Sequence, residues 1–281
     1  MFFVMLLGCD ATDPEDSGDT SDSGEVAVTD YEVIFSTDPD PILSGEPATF
    51  AYQVLDQLGR PIEDLQTTHE RMAHVQFVSR DLASFQHLHH EDYQSLTADN
   101  LRNASFEFPL TLPLAGEYLV VFDYAHRNQY LSTSGGLVAG GGPAQADAPD
   151  LTLNDVATDQ GVTGTLTWDA PAVPGFEASW NIHLTDASGA DISDLVQYLG
   201  ADAHAFIASS TLDFSAHTHA WFPGMEGVAP GHPMPTVYTG PDLPFHYVLP
   251  TTGFYRMWIQ FTRAAEPEQA IVLVFTLNVG G

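Results

Sequence analysis

The sequence has no lysine, and its only basic side chains besides histidine are seven arginines, against 38 aspartates and glutamates in 281 residues. The resulting formal charge of −31 opposes binding to nucleic acid, heparin or anionic membrane surfaces, because a basic patch would form against a strongly negative field. Lysine-dependent catalysis is excluded as well. We therefore expect no nucleic-acid partner, whereas cations are attracted.

Cysteine is nearly absent too, since Cys9 stands alone and excludes a disulfide framework. It follows the apolar run Met1–Gly8, and Leu6-Leu7-Gly8-Cys9 resembles the lipobox at which bacterial lipoprotein signals are cleaved and lipidated. The run is shorter than a usual signal and has no basic residue. We predict that residues 1–9 are a truncated lipoprotein signal with Cys9 as the lipidation site; a chance apolar N-terminus is the alternative.

No other stretch approaches the roughly 18 consecutive apolar residues of a membrane span. We expect membrane contact through the lipid anchor only, and a location at the periplasmic or extracellular face of the bacterial cell envelope. Residues 10–30 are acidic and rich in serine and glycine, a composition that predicts a disordered tether.

Beyond residue 30 the pattern changes to short alternating runs that are separated by glycine, proline, asparagine and aspartate. Phe50, Tyr52 and Val54 share one face of such a run, as in a half-buried strand. The sequence shows no sustained helical period. The fold is therefore predicted to be all-β.

An internal repeat indicates two homologous domains. A shift of 130 residues aligns Ala48–His89 with Ala178–His219 without a gap, and a Pro-x-x-Gly-x-Tyr match follows, at Pro113–Tyr118 and Pro250–Tyr255. Domains of this size with many short strands are typical of immunoglobulin-like or cupredoxin-like β-sandwiches. We predict domain 1 at residues 31–131, a Gly/Pro/Ala-rich linker at 132–149 and domain 2 at 150–281.

Both copies contain the spacing His-x12-His-x-His. Residues i and i+2 of a strand share a face, and a hairpin turning near Arg80–Ser84 adds the third imidazole if the register pairs His74 with His89 or His87; a one-residue slip would separate them. The predicted metal ligands are His74, His87 and His89 (the first triad) and His204, His217 and His219 (the second triad).

Three imidazoles suit copper or zinc, and no cysteine is available for a blue-copper thiolate centre, which excludes that electron-transfer chemistry. Further ligands are open: the sequence offers Met72 and His90 near the first triad and Met225, His232 and Met234 near the second. Thioethers select Cu(I), so copper is favoured over zinc; the methionines could equally be apolar filler. His69 and His126, also in the first domain, could approach the first triad only through folding of the chain.

The segments Ala73–His89 and Gln197–His219, with Tyr198-Leu199-Gly200-Ala201 ahead of the histidines, resemble a family of bacterial secreted YtkA-like domains from the cupredoxin neighbourhood. The resemblance spans about residues 45–125 and 175–278 and implies β-sandwiches associated with heavy-metal handling. His90 and Ala220 replace the proline that usually follows the motif.

The leading hypothesis is a non-enzymatic envelope lipoprotein that sequesters or delivers copper, or zinc, with one ion per domain and an unidentified envelope partner. The alternative is a non-catalytic immunoglobulin-like adhesion or structural module with incidental histidines. A metal-dependent hydrolase or oxidase is the third hypothesis, since three ligands leave a coordination position open, but the sequence shows no clear general base.

Overall fold

The computed structural model describes residues 31–220 and 239–280, and in these ranges the chain is almost entirely β-structure. The predicted all-β fold with two tandem immunoglobulin-like sandwiches is confirmed. The exceptions are one short α-helix (Ala98–Asn103) and a 3-10 helix (His90–Asp92), both in the first domain. The predicted signal and tether, with Cys9, lie outside the described residues, as do Met225, His232 and Met234. Within the described part, no helix is long and apolar enough to cross a membrane.

The first domain consists of two antiparallel sheets that enclose one core. Sheet order is β1-β2-β5 in one layer and β4-β3-β6-β7 in the other. Phe50 and Tyr52 of β2 are buried, as their alternation predicts, and pack with Phe122 of β6 from the opposite layer. The strands are β1 (Glu32–Asp38), β2 (Ala48–Leu55), β3 (Ala73–Ser79), β4 (Phe85–Leu88), β5 (Ser105–Leu110), β6 (Gly116–His126) and β7 (Gln129–Ala139).

The second domain repeats this arrangement. One sheet has the order β14-β10-β9-β8 and the other the order β11-β15-β12-β13, with β16 also paired to β15. Trp180 and Ile182 of β10 enter its core. The strands are β8 (Val156–Asp159), β9 (Val162–Trp168), β10 (Glu177–Thr185), β11 (Leu195–Val196), β12 (His204–Ser209), β13 (Ser215–His219), β14 (Asp242–Val248), β15 (Gly253–Arg263) and β16 (Glu266–Val279).

The repeated Pro-x-x-Gly-x-Tyr motif forms a tyrosine corner in each domain. The hydroxyl of Tyr118 donates to the carbonyl oxygen of Leu114 at 2.9 Å, and that of Tyr255 donates to the carbonyl oxygen of Thr251 at 2.9 Å. In both cases the partner lies four residues upstream, as in other β-sandwiches. The motif therefore fixes the entry into β6 and β15, the strands that lie beside the histidine-bearing hairpins.

The predicted linker at 132–149 requires a correction, because its first half belongs to the first domain. Residues up to Ala139 form β7, which pairs with β6 along its whole length. Glycine is used here for close packing rather than flexibility: a Cβ atom on Gly135 would lie 2.8 Å from the ring of Phe35. The connection to β8 therefore spans residues 140–155.

The two domains contact each other through the outer faces of the sheets that contain the histidine hairpins, β4-β3-β6-β7 in the first domain and β11-β15-β12-β13 in the second. Both β3 and β12 are buried on both faces. One face of each strand packs on the core of its own domain, and the opposite face packs on the neighbouring domain. Phe85 stacks on Trp258 across this interface, with ring centroids 5.0 Å apart. The apolar interface cluster contains residues that are equivalent in the repeat: Val78 with Ala208, Leu82 with Leu212, and Val121 with Trp258. The interface therefore has approximate twofold symmetry.

Candidate functional site

The first triad is assembled by the β3–β4 hairpin, whose register pairs Gln76 with His87 and Val75 with Leu88. One step further along this register, His74 is opposite His89. Val75 points into the core of the first domain, and the strand alternation turns His74 to the outer face. The predicted turn between residues 80 and 84 is present, and all three imidazoles lie on one face at the domain interface.

Three ring nitrogens of the first triad converge on one point. Nδ1 of His74 is 3.0 Å from Nε2 of His87 and 3.0 Å from Nε2 of His89, and the last two atoms are also 3.0 Å apart. The triangle is equilateral. It is enclosed as well, since the three residues are buried.

The opposite nitrogen of each ring faces an oxygen that can only accept a hydrogen bond. Each of these outer nitrogens therefore carries the proton, and each inner nitrogen of the neutral ring presents a lone pair. The 3.0 Å contacts among the inner nitrogens are thus contacts between acceptors, which a cation would satisfy. The outer bonds are His74 Nε2 to the Thr68 carbonyl oxygen (3.0 Å), His87 Nδ1 to Gln260 Oε1 (2.8 Å) and His89 Nδ1 to Asp92 Oδ2 (2.7 Å).

The second triad is formed by the corresponding hairpin of β12 and β13, but its ring nitrogens converge less closely. His204 pairs with His219 in the hairpin register, Nδ1 of His204 is 3.0 Å from Nε2 of His217, and Nε2 of His204 donates to the carbonyl oxygen of Tyr198 at 2.9 Å. Nε2 of His219 is buried and has no hydrogen-bond partner among the described residues. An unpaired buried nitrogen is costly, and the His219 ring lies beside those of His204 and His217, with centroids 4.6 and 4.9 Å away.

His69 joins the second triad from the first domain. It lies in the tight turn between Thr68 and Arg71 with a positive φ of 46°, and its ring stacks on that of His219 with centroids 3.7 Å apart. One ring nitrogen each of His69, His204 and His219 lie within 4.8 Å of one another. Sequence reasoning missed this contact, because the equivalent residue of the second domain is Leu199 and the repeat gives no signal for His69.

The two triads lie side by side. The ring centroid of His217 is 5.2 Å from that of His74 and 5.2 Å from that of His87, and His204 is about as close, at 6.1 and 6.0 Å respectively. One nitrogen each of His74, His87 and His217 also lie within 4.8 Å of one another. The sequence predicted one site per domain; the structure brings both to a single location in the interface.

Each domain supplies an outer partner to the triad of the other. Gln260 of β15 bonds His87, and Asp123 of β6 places its Oδ2 atom 3.3 Å from Nδ1 of His217. The two partners are equivalent in the repeat, since Asp123 pairs with His74 in the sheet and Gln260 pairs with His204. Asp123 Oδ2 is nevertheless buried without a hydrogen bond to any described residue.

Burial determines the protonation of the cluster. Loss of hydration lowers the pKa of His74, His87, His204 and His219 well below the usual value for histidine, and neighbouring imidazoles lower it further. The pKa of His69 falls to about 3 for the same reasons. Burial also lowers the pKa of His89, although the Asp92 carboxylate opposes this shift. These six rings therefore favour the neutral form, which is the form that ligates metals.

The additional ligands predicted near the first triad lie elsewhere. Met72 packs in the core of the first domain, where its sulfur accepts a hydrogen bond from the Thr67 hydroxyl at 3.4 Å. His90 follows the triad in sequence but turns away from it, because Nδ1 of its ring lies 2.8 Å from the Glu107 carbonyl oxygen on β5. His90 directly follows His89 and so has the opposite parity. Met72 has the parity of His74 but precedes the first residue of β3, so the alternation of that strand does not hold it on the outer face.

Several solved structures show a low similarity to this chain. They include the Escherichia coli adhesin FdeC (14% identity, 89% of this chain and 64% of that chain, TM-score 0.25), a two-domain fibronectin type III segment of chicken tenascin (12%, 88% and 98%, 0.24) and the fibronectin(III)-like modules of Clostridium thermocellum CbhA (10%, 88% and 94%, 0.21). The chain thus spans slightly less than two thirds of the adhesin chain. TM-scores this low carry no information on function.

No curated protein matches the sequence, and the resemblance to YtkA-like domains is not confirmed by these comparisons. One family model does match, over residues 26–135 and again over residues 156–281. The two matched segments correspond to the two halves of the internal repeat, and together they cover most of the chain. The protein therefore belongs to the family described as a domain of unknown function, DUF8832.

Proposed function

We propose that this protein binds a transition metal through its histidine triads, with copper favoured and zinc as the second choice, and that it sequesters or delivers the ion at the cell envelope. The observation that supports this most directly is the first triad. Its three inner lone pairs converge at 3.0 Å, and each outer nitrogen is bonded to an acceptor. Neutral imidazoles oriented by outer acceptors are the usual arrangement of histidine ligands.

The charge of the ligands supports copper over zinc. All ligands of the first triad are neutral, so the full charge of the ion enters a buried site. The cost of burying an ion rises steeply with its charge, and singly charged Cu(I) is therefore less costly to bury than Zn²⁺. Imidazole itself suits both metals.

The envelope location supports a role in metal handling and comes from the sequence alone. The lipobox-like segment ending at Cys9 would tether the domains to a membrane. The charge of −31 would raise the local concentration of cations near the folded part. The resemblance to YtkA-like domains agrees with this role, which needs no catalytic residue.

Competition titrations test the proposal. The purified protein is titrated with Cu(I) against a chromophoric chelator under reducing conditions, and separately with Zn²⁺. We expect stoichiometric binding that is lost stepwise in His87→Ala and His217→Ala. His183→Ala is the matched control, because His183 lies in the same domain as His217 but bonds to Asp242 on the far sheet. Binding that is absent, or unchanged in both triad variants, would contradict the proposal.

A non-catalytic adhesion or structural module is the second candidate function. The observation in its favour is the architecture, two tandem immunoglobulin-like sandwiches, which cell-surface domains commonly use. In that case the buried histidines only fill the domain interface. The same titrations separate the candidates, since a purely structural interface binds no metal.

A further inference from the structure

We propose that the two triads form one binuclear metal centre, enclosed by both domains, in which His69 of the first domain is a fourth ligand for the ion of the second triad. This inference rests on the proposed function, because it assumes that the triads bind metal. In such a centre the two ions lie close enough to interact, and the first domain supplies a ligand to the ion of the second triad. Two independent sites, one per domain, would have neither property.

The spacing of the rings supports adjacent ions. His217 of the second triad lies as close to His74 and His87 as neighbouring imidazoles within one triad do, with centroids 5.2 Å apart in each case. A ring nitrogen of His217 is within 4.8 Å of one from each of those two residues. With metal–nitrogen bonds of about 2 Å, ions bound to the two triads are less than about 10 Å apart.

A carboxylate oxygen without a hydrogen bond provides an independent reason for positive charge at the second triad. Asp123 Oδ2 is buried and has no hydrogen-bond donor among the described residues, yet it lies 3.3 Å from the ring of His217. A buried carboxylate oxygen without a hydrogen bond is costly. A cation bound on the other side of the His217 ring compensates this charge.

His69 gives the two ions different numbers of ligands. Its ring covers His219 at 3.7 Å and lies 5.6 Å from His204, so a nitrogen ligand from the first domain reaches the second triad. The equivalent residue on the other side is Leu199, which is buried and offers no ligand atom. The first ion thus has three histidine ligands, and the second has four.

Electron paramagnetic resonance with Cu(II) as the probe tests the centre. The protein is loaded with two equivalents of Cu(II), its copper content is measured, and spectra are compared with those at one equivalent. We expect two bound ions whose spins couple, which broadens the spectrum, reduces the integrated signal below two spins and produces a half-field transition. His69→Leu introduces the residue found at the equivalent position 199. It should lower the affinity for the second ion at least about tenfold and leave the affinity for the first ion unchanged. His183→Ala is the control.

The outcomes separate this inference from the proposed function. Two bound ions with additive, uncoupled spectra contradict the binuclear centre and leave metal binding intact. One ion per chain, or His69→Leu binding two ions as tightly as the wild type, also overturns the inference. A protein that binds no copper contradicts the proposed function itself.

Discussion

Gln260 Oε1 accepts a hydrogen bond from Nδ1 of His87 at 2.8 Å, although Gln260 lies in the second domain and His87 in the first. The bond fixes the tautomer of His87 that turns a lone pair towards the other two imidazoles of the first triad. Metal affinity at that triad should therefore depend on a residue that the first domain does not contain.

We expect Gln260→Ala to lower metal affinity at the first triad about 10- to 100-fold, the usual effect of removing an outer partner of a ligating histidine. Competition titration measures the change. Gln86→Ala is the matched control, because Gln86 is on the same hairpin but bonds the carbonyl oxygen of Thr111 at the surface. Equal losses in both variants would contradict a specific role for Gln260.

The metal-free protein should lose stability as the pH falls from about 7.5 to 5. In the unfolded chain the histidines titrate near 6.5, whereas burial lowers the pKa of His74, His87, His204 and His219 in the folded state. Below about pH 6.5 the unfolded chain therefore binds more protons, and the free energy of unfolding falls. The stabilisation is complete above that pH and is lost as the pH approaches the folded-state values.

Urea denaturation at several pH values measures this dependence. His246→Ala is the control, because His246 is partly buried and bonds Glu177 on the far sheet of the second domain, away from the cluster. A free energy of unfolding that is equal at pH 7.5 and pH 5 would show that the cluster is not buried as described.

Trp258→Ala should destabilise the protein by about 3–5 kcal/mol, the usual cost of truncating a buried tryptophan. Trp258 is 2% exposed and stacks on Phe85 of the other domain, so the loss falls on the interface. We expect the single cooperative urea transition of the wild type to separate into two transitions in this variant, one for each domain. Trp168→Ala removes a partly buried ring within the second domain and should shift that domain's transition without separating the domains.

The tyrosine corners should contribute about equally to the stability of the two domains. Removing one hydroxyl in Tyr118→Phe or Tyr255→Phe should cost about 1 kcal/mol, the net value of a hydrogen bond, in calorimetry or urea denaturation. Tyr93→Phe is the control, because Tyr93 is 49% exposed. An unchanged stability in both corner variants would show that the bonds to Leu114 and Thr251 are not stabilising.

Within each domain, the sequence was sufficient to predict what local periodicity determines. The alternation of apolar and polar residues predicted the strands. The internal repeat at an offset of 130 residues predicted two copies of one domain. The parity of His74 and His89 gave a triad on one strand face. These features depend on residues close in sequence or on the hairpin register, which the pattern of apolar residues encodes.

What the sequence did not disclose depends on contacts between the domains. The run Ala73–Ser79 is buried on both faces, but its composition does not show that the second face meets another domain. Gln260 and Asp123 are equivalent but chemically different, so the repeat did not mark them as partners. One further error lies within the first domain: Gly135 was assigned to the linker, because the sequence does not show its contact with Phe35.

The approximate twofold symmetry of the interface has a further consequence. Equivalent residues meet across it, as in the self-complementary contact of a homodimer, so the chain is in effect a dimer whose subunits are covalently joined. Association within one chain proceeds at a high effective concentration and does not depend on how much protein is present. Joining also allows the halves to differ, as His69 and Leu199 do, which two identical subunits could never achieve.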